Sequence, residues 1–278
     1  AGDRNTRFIH MRARLRRRKN MITALSNALG VQVDDPTQLK AMVQEFYENL
    51  YTTEGVQDIE EVTNHVPSKV TPEMNAILCA PYTREEVKVA LFQMFSTKAS
   101  GPDGFPAHFY QRHWDLCGDE VTNAVLRIVK GEESVEAINE TVLVLIPKIA
   151  SPTFMSQFRP ISLCNVLYKI ASKVIANRLK QILPDIISQE QLSFVPGRLI
   201  TDNIICAYEC LHFMKRNRSK SNSFCALKLD MMKAYDRLEW PYLQAVMVKL
   251  GFDQSWINTV MGMINSVSFS VLFNGKRL

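Results

Sequence analysis

The residues best equipped for chemistry lie late in the chain, in the run Ala226-Leu227-Lys228-Leu229-Asp230-Met231-Met232-Lys233-Ala234-Tyr235. The pattern predicts a strand over Phe224 to Leu229 that delivers Asp230 at its C-terminal end, where the chain turns toward a helix. A carboxylate placed there faces a site while its strand stays in the core. Phosphoryl transfer assisted by two divalent ions about 3.5 to 4 Å apart needs carboxylates held in this way. Tyr235, five residues on, returns beside the same spot. The plain alternatives are that Asp230 only caps the following helix and that Tyr235 is a core aromatic.

The second chemical feature is a charge run. Residues 1–19 hold Arg4, Arg7, Arg12, Arg14, Arg16, Arg17, Arg18 and Lys19 against Asp3 alone. The whole chain is +5, with 33 Lys and Arg against 28 Asp and Glu, so the remainder carries 25 basic and 27 acidic side chains. The basic excess is therefore an N-terminal arm, a handle for phosphate backbones through counterion release. A solvated helix face or a nuclear-import signal would look the same.

Other classes are set aside by composition. The six cysteines show no CxxC spacing, and Cys206, Cys210 and His212, close together on one helix with no second ligand pair, make a poor zinc site. The longest apolar stretches, Val142 to Pro147 and Ile257 to Ile264, fall far short of the roughly 20 residues of a membrane span. No basic-then-apolar leader opens the chain, so an intracellular protein is expected. At 278 residues and 46% apolar content, it can bury one large core or two modest ones.

The elements that must position these residues follow from periodicity. Met21 to Val33 shows short apolar alternations broken by Gly30. Asp35-Pro36 is a helix start, and Leu39, Met42, Val43, Phe46, Tyr47 and Leu50 share one helical face. Thr53 to Val70 reads as a connector. Thr83 and Glu86 form a capping box ahead of the stripe Val87, Ala90, Leu91, Met94 and Phe95, which should end at the turn cluster Ser100 to Gly104. A helical region spans about Pro106 to Lys130, and Thr141 to Ile146 is a strand closed by Pro147. Residues 164–183 are predicted helical with Pro184 as the stop. Thr201 or Asp202 should cap another helix, running to the basic patch Lys215, Arg216, Arg218 and Lys220. Two more helices precede a strand over Val267 to Phe273, and Asn274-Gly275 signals a tight hairpin.

Several segments occur in one order: Lys98-Ala-Ser-Gly-Pro-Asp-Gly-Phe-Pro-Ala-His-Phe-Tyr110, Leu143-Val-Leu-Ile-Pro-Lys148, Phe158-Arg-Pro-Ile-Ser-Leu163, Phe194-Val-Pro-Gly-Arg198, and the Asp230 run. Together they resemble the successive blocks of LINE-type (non-LTR) retrotransposon reverse transcriptases, especially those of plant elements. Gly2 to Phe8 is similar to the linker that follows the endonuclease in such proteins. Met232 departs from the small polar residue expected there in plant elements.

The resemblance implies an α+β right-hand polymerase fold. Residues 1–80 would be a basic helical N-terminal extension. Residues 81–278 would be a partial reverse transcriptase domain, with fingers over about 81–200 and an incomplete palm from about 200. By position, Asp230 would be the first metal-binding aspartate, the Met231 backbone carbonyl a further Mg2+ ligand, and Tyr235 the aromatic gate against a ribose 2′ hydroxyl. Arg159 matches the arginine that grips the incoming dNTP triphosphate, for which a guanidinium fork is well suited, and Lys148 would add a second cation. Gly197 and Arg198 fall in a template-contacting loop, and Ser100 to Gly104 in a block that also approaches nucleic acid. Arg14, Arg16, Arg17, Arg18 and Lys19 would hold phosphates. The implied partners are an RNA template, a DNA primer and dNTP, with no membrane and no evident protein partner, and the implied location is nuclear.

One part of the pattern is missing. The family supplies its remaining carboxylates from a later Tyr-x-Asp-Asp hairpin, and the only Asp-Asp pair here is Asp34-Asp35, ahead of Asp230 and at a helix start. The chain also stops in the hairpin after Gly275, so truncation, an unpaired sheet edge, exposed apolar surface and no DNA synthesis by these residues alone are expected. The alternatives are a non-catalytic nucleic-acid-binding remnant of the same fold and a group II intron-type maturase, which the plant-like blocks disfavour.

Overall fold

A computed structural model describes residues 6–53, 55–217, 224–231 and 233–278. Most of the Gly2 to Phe8 block, and Arg4, Arg218, Lys220 and Met232, lie outside these residues. In chain order the elements are α1 (Arg7–Lys19), β1 (Leu25–Ser26), β2 (Gln32–Val33), α2 (Pro36–Tyr51), α3 (Ile59–Thr63), α4 (Pro72–Leu78), α5 (Arg84–Phe92), α6 (Ala107–Arg112), α7 (Trp114–Val129), β3 (Glu140–Pro147), β4 (Phe158–Cys164), α8 (Val166–Ile186), α9 (Ile200–Arg216), α10 (Trp240–Leu250), α11 (Gln254–Asn265), β5 (Ser268–Phe273) and β6 (Lys276–Arg277). The mixture of helix and sheet agrees with an α+β class. None of the described helices is long and apolar enough to cross a membrane.

The described residues form two compact units, one drawn from 1–56, 81–175 and 255–278 and the other from 57–80 and 176–254. The first holds the four-stranded sheet, ordered β4-β3-β5-β6. The β3–β4 and β5–β6 pairs are antiparallel, while β3 and β5 run parallel. Period-two alternation sends Leu143 and Leu145 to one face, where they meet Val271, Phe273, Phe158 and the α2 residues Leu39, Val43 and Tyr47 in one buried cluster. Helix α2 begins where expected: the Asp35 carboxylate accepts the Thr37 and Gln38 amides at 3.0 and 2.9 Å, and Pro36 takes the first turn. Each fully buried side chain of this kind contributes about 1.5 to 3 kcal/mol relative to exposure.

The second unit is helical. Gly251 ends α10 at φ +92°, where an added Cβ would lie 2.7 Å from Ser68 Oγ. The Asn75 amide donates to Gly251 O at 2.8 Å, and Asn75 Oδ1 accepts from the Asp253 amide at 2.9 Å. Arg178, buried, closes the end of α4 by donating to the Leu78 carbonyl at 2.9 Å and to that of Ala80.

The structure corrects several expectations. Phe224 to Leu229 is not a strand. These residues are exposed and have no ladder partner among the described residues, and a strand without cross-strand neighbours lacks its main stabilisation. Helix α8 runs through Pro184 to Ile186, because the Ile187 amide still reaches Leu183 O at 3.0 Å. Helix α5 stops at Phe92, short of Met94 and Phe95: the Gln111 amide takes the Leu91 and Met94 carbonyls at 3.0 and 2.9 Å. The region after Pro106 is two helices broken at His113, and the 53–70 connector contains α3. Leu199, not Thr201 or Asp202, precedes α9.

Candidate nucleotide and nucleic-acid interface

The β3–β4 hairpin brings Lys148 and Arg159 together in the first unit. Arg159 stands directly opposite Ile146. The Lys148 amide, just past the end of β3, donates to Gln157 O at 2.8 Å, one step beyond the Pro147–Phe158 pair, while Arg159 shares a side of the hairpin with Ile146 and Ile161. That side is the open one: Ile146 and Ile161 are 37% and 41% exposed. Lys148 Nζ donates to Ser156 O at 2.8 Å, leaving further donor capacity on its ammonium. Among the described residues no carboxylate pairs with the Arg159 guanidinium. Two exposed cations at this end of the hairpin offer donors suited to phosphate oxygens.

The Ser100 to Gly104 turn is held by Asn165, which sequence reasoning did not single out. Asn165 occupies the cap position of α8, its carbonyl accepting the Lys169 amide at 3.1 Å. Its side chain reaches away from the helix: Oδ1 accepts the Asp103 amide at 3.1 Å, and Nδ2 donates to Ile138 O at 3.1 Å. Gly101 lies so close that an added Cβ would fall 2.4 to 2.6 Å from Asn165 atoms. Lys169 Nζ also donates to Ala99 O at 3.4 Å. An asparagine at a strand-to-helix junction was the available signal; its long-range partners were not. Burial and the nearby Asp103 charge push the Tyr110 phenol above its usual range.

In the second unit, Gly197 has φ +77° and open space around it. Arg198 turns inward: its guanidinium donates to the carbonyls of Gln191 at 2.7 Å, Pro184 at 2.9 Å, Ile187 at 3.0 Å and Ser188. A cation at the C-terminal end of α8 also suits the helix dipole. Its donors therefore close α8 and fix the 188–198 loop.

Asp230 and Met231 are exposed, not seated at a strand end. Tyr235 is 81% exposed and meets Phe194, itself at φ +67°, edge to face at 6.4 Å. The structure thus joins the Phe194 block to the Asp230 block through this aromatic pair. Among the described residues no group of three or more His, Cys, Asp or Glu gathers into a metal site. Asp230 alone does not fit the pair of divalent ions such a centre needs.

The arm is helical. Thr6 caps α1, and Arg14, Arg16, Arg17, Arg18 and Lys19 are exposed on a helix with no buried residue. Basic residues in its last turn complement the helix dipole.

Residues 146–278 match the family described as reverse transcriptase (RNA-dependent DNA polymerase). The chain is 30% identical to the Transposon TX1 uncharacterized 149 kDa protein of Xenopus laevis over 98% of its own length and 21% of that protein. It is 22% identical to a retrovirus-related Pol polyprotein from the type-1 retrotransposable element R2 of Bradysia coprophila, over 84% of the chain and 25% of that protein. A second R2 Pol polyprotein, from Popillia japonica, is 21% identical over 69% of the chain and 25% of its own length. These findings define a polymerase class, the reverse transcriptases. The family match and these relatives together support a reverse transcriptase of the non-LTR retrotransposon kind, and the chain spans about a fifth to a quarter of the curated relatives it matches.

Proposed function

We propose that these 278 residues supply the nucleotide-gripping fingers and part of the palm of an RNA-directed DNA polymerase that copies retrotransposon RNA in the nucleus. The observation that carries this reading is the β3–β4 hairpin, which sets exposed Arg159 opposite Ile146 and exposed Lys148 just past the same end of β3, within the reverse transcriptase match. Their role is to bind the dNTP triphosphate. Asp230, with the Met231 carbonyl, is offered as one Mg2+ ligand set for a complete centre, and Tyr235 as the ribose gate. Gly197 lets nucleic-acid backbone approach closely, while Arg198 keeps that loop in shape against α8. The arginines of α1, with Lys19, hold RNA phosphates.

No Tyr-x-Asp-Asp sequence occurs in the chain, so the 278 residues alone are expected to show no primer extension with Mg2+. Extension that Asp230→Ala abolishes would overturn this part. Arg159→Ala should weaken binding of a fluorescent dNTP to the chain by about ten-fold or more, the worth of a charge-assisted hydrogen bond. Unchanged affinity would remove the triphosphate role. The exposed basic helix favours a second reading, RNA binding without synthesis. In that case RNA affinity and its salt slope survive Arg159→Ala and fall when Arg14, Arg16, Arg17 and Arg18 are neutralised.

A further inference from the structure

The basic helix is not a free tail. Just past its end, the backbone of Ile22 is held at both polar atoms by one side chain from the far end of the chain: the Ile22 amide donates to Asn274 Oδ1 at 2.9 Å, and Asn274 Nδ2 donates to Ile22 O at 2.8 Å. Asn274 is also the first central residue of the β5–β6 turn, with φ +48° followed by Gly275 at +91°, the pairing that a type I′ hairpin demands. The Arg17 guanidinium packs on the same turn, where a Cβ added to Gly275 would lie 3.2 Å from its Nη2. Ile22 is itself 6% exposed and belongs to the buried cluster under the sheet. Only Asn20 and Met21 separate α1 from this anchor.

From this geometry we infer that Asn274 is a positioning residue for nucleic-acid binding: it fixes the direction in which α1 presents its arginines by clasping the backbone at Ile22. This rests on the reading of α1 as a phosphate-binding arm. An asparagine meets both demands, since it tolerates positive φ in the turn and carries a donor NH2 and an acceptor oxygen on one planar amide, which can answer an N–H and a C=O of one residue. Without the clasp the helix pivots about the Asn20–Met21 link, and part of the binding free energy goes into ordering it. Gly275 meets the other demand of the turn, a positive φ at its second central position.

The test separates turn from clasp. Asn274→Gly keeps the turn, because Gly-Gly suits type I′, and removes both bonds. Asn274→Asp keeps the turn and the acceptor but loses the donor. Binding of a short fluorescein-labelled single-stranded RNA to the full 278-residue chain is measured across salt concentrations, in wild type and in a background with Arg14, Arg16, Arg17 and Arg18 changed to Gln. Asn274→Gly should weaken binding by about three- to ten-fold, with Asn274→Asp between it and wild type, and neither should have any effect in the Gln background. An Asn274→Gly effect of equal size in both backgrounds would mean that Asn274 acts through the fold at large, which overturns the inference. Wild-type affinity in Asn274→Gly, with binding still lost in the Gln background, overturns it while leaving the arm's role standing. If the Gln background binds RNA as wild type does, the arm reading itself fails and the inference with it.

Discussion

The β3–β4 hairpin and the Asp230 segment start from similar sequence and end in different states. Thr141 to Ile146 and Phe224 to Leu229 are both short and mostly apolar, the first rich in β-branched residues and the second carrying Lys228. The first lies between β4 and β5, with the α2 face of Leu39, Val43 and Tyr47 packed on its inner side chains. The second has neither ladder nor cover among the described residues, and Leu227 and Leu229 are 79% and 82% exposed. Strand propensity is a statement about fitting a pleated, half-buried surface, and only one of the two segments has such a surface to fit. Strand β3 of the hairpin is therefore fixed by its neighbours on both sides, whereas the Asp230 segment has no ladder among the described residues.

The sharpest way to break this comparison is to truncate one leucine from each region. Leu143 is 1% exposed within the core cluster, so Leu143→Ala should lower unfolding free energy by about 2 to 5 kcal/mol. Leu229→Ala should stay within about 0.5 kcal/mol. Both are read from denaturant melts, and a large cost at Leu229 would show that the Asp230 strand is formed and covered in solution.

The turn that Asn165 holds gives an intermediate effect. Asn165→Ala leaves the Asp103 amide and the Ile138 carbonyl without their partner and should cost about 1 to 3 kcal/mol. Gly101→Ala forces a Cβ into Asn165 backbone atoms and should cost a similar amount, about 1 to 3 kcal/mol. Proteolysis of the 99–105 segment should become faster in both variants. Unchanged cleavage would mean that the turn is held by something other than Asn165.

The smallest expected effect is alkaline. Burial raises the phenol pKa of Tyr168, which donates to Met263 O at 3.2 Å, and of Tyr110. A phenol whose pKa is raised by folding contributes stability that is complete below its unfolded value of about 10 and is lost as pH climbs through the folded value. Melting temperature should therefore fall as pH rises above about 10, and the fall should flatten in the Tyr110→Phe and Tyr168→Phe variants. A slope that neither substitution changes would assign the alkaline loss to other groups.

Much of the architecture was legible because its signals are local. Asp35-Pro36 and the Thr83–Glu86 capping box place helix starts through bonds within three residues. Asn274-Gly275 dictates its turn through two φ angles, and the ordered blocks from Lys98 to Tyr235 pointed to the polymerase class. Tertiary structure decided what depends on distant partners. Whether Phe224 to Leu229 became a strand turned on a ladder neighbour that propensity does not encode. Whether Pro184 stopped α8 turned on the local backbone, whose Ile187 to Leu183 bond carries the helix past the ring. Arg198 was legible as a loop cation, but its bonds to the Pro184, Ile187, Ser188 and Gln191 carbonyls were not. Asn165 and Asn274 became visible as clamps only when residues 62 and 252 positions away came within hydrogen-bonding reach, because such bonds are chosen by the packing of the whole chain and leave no periodicity in it.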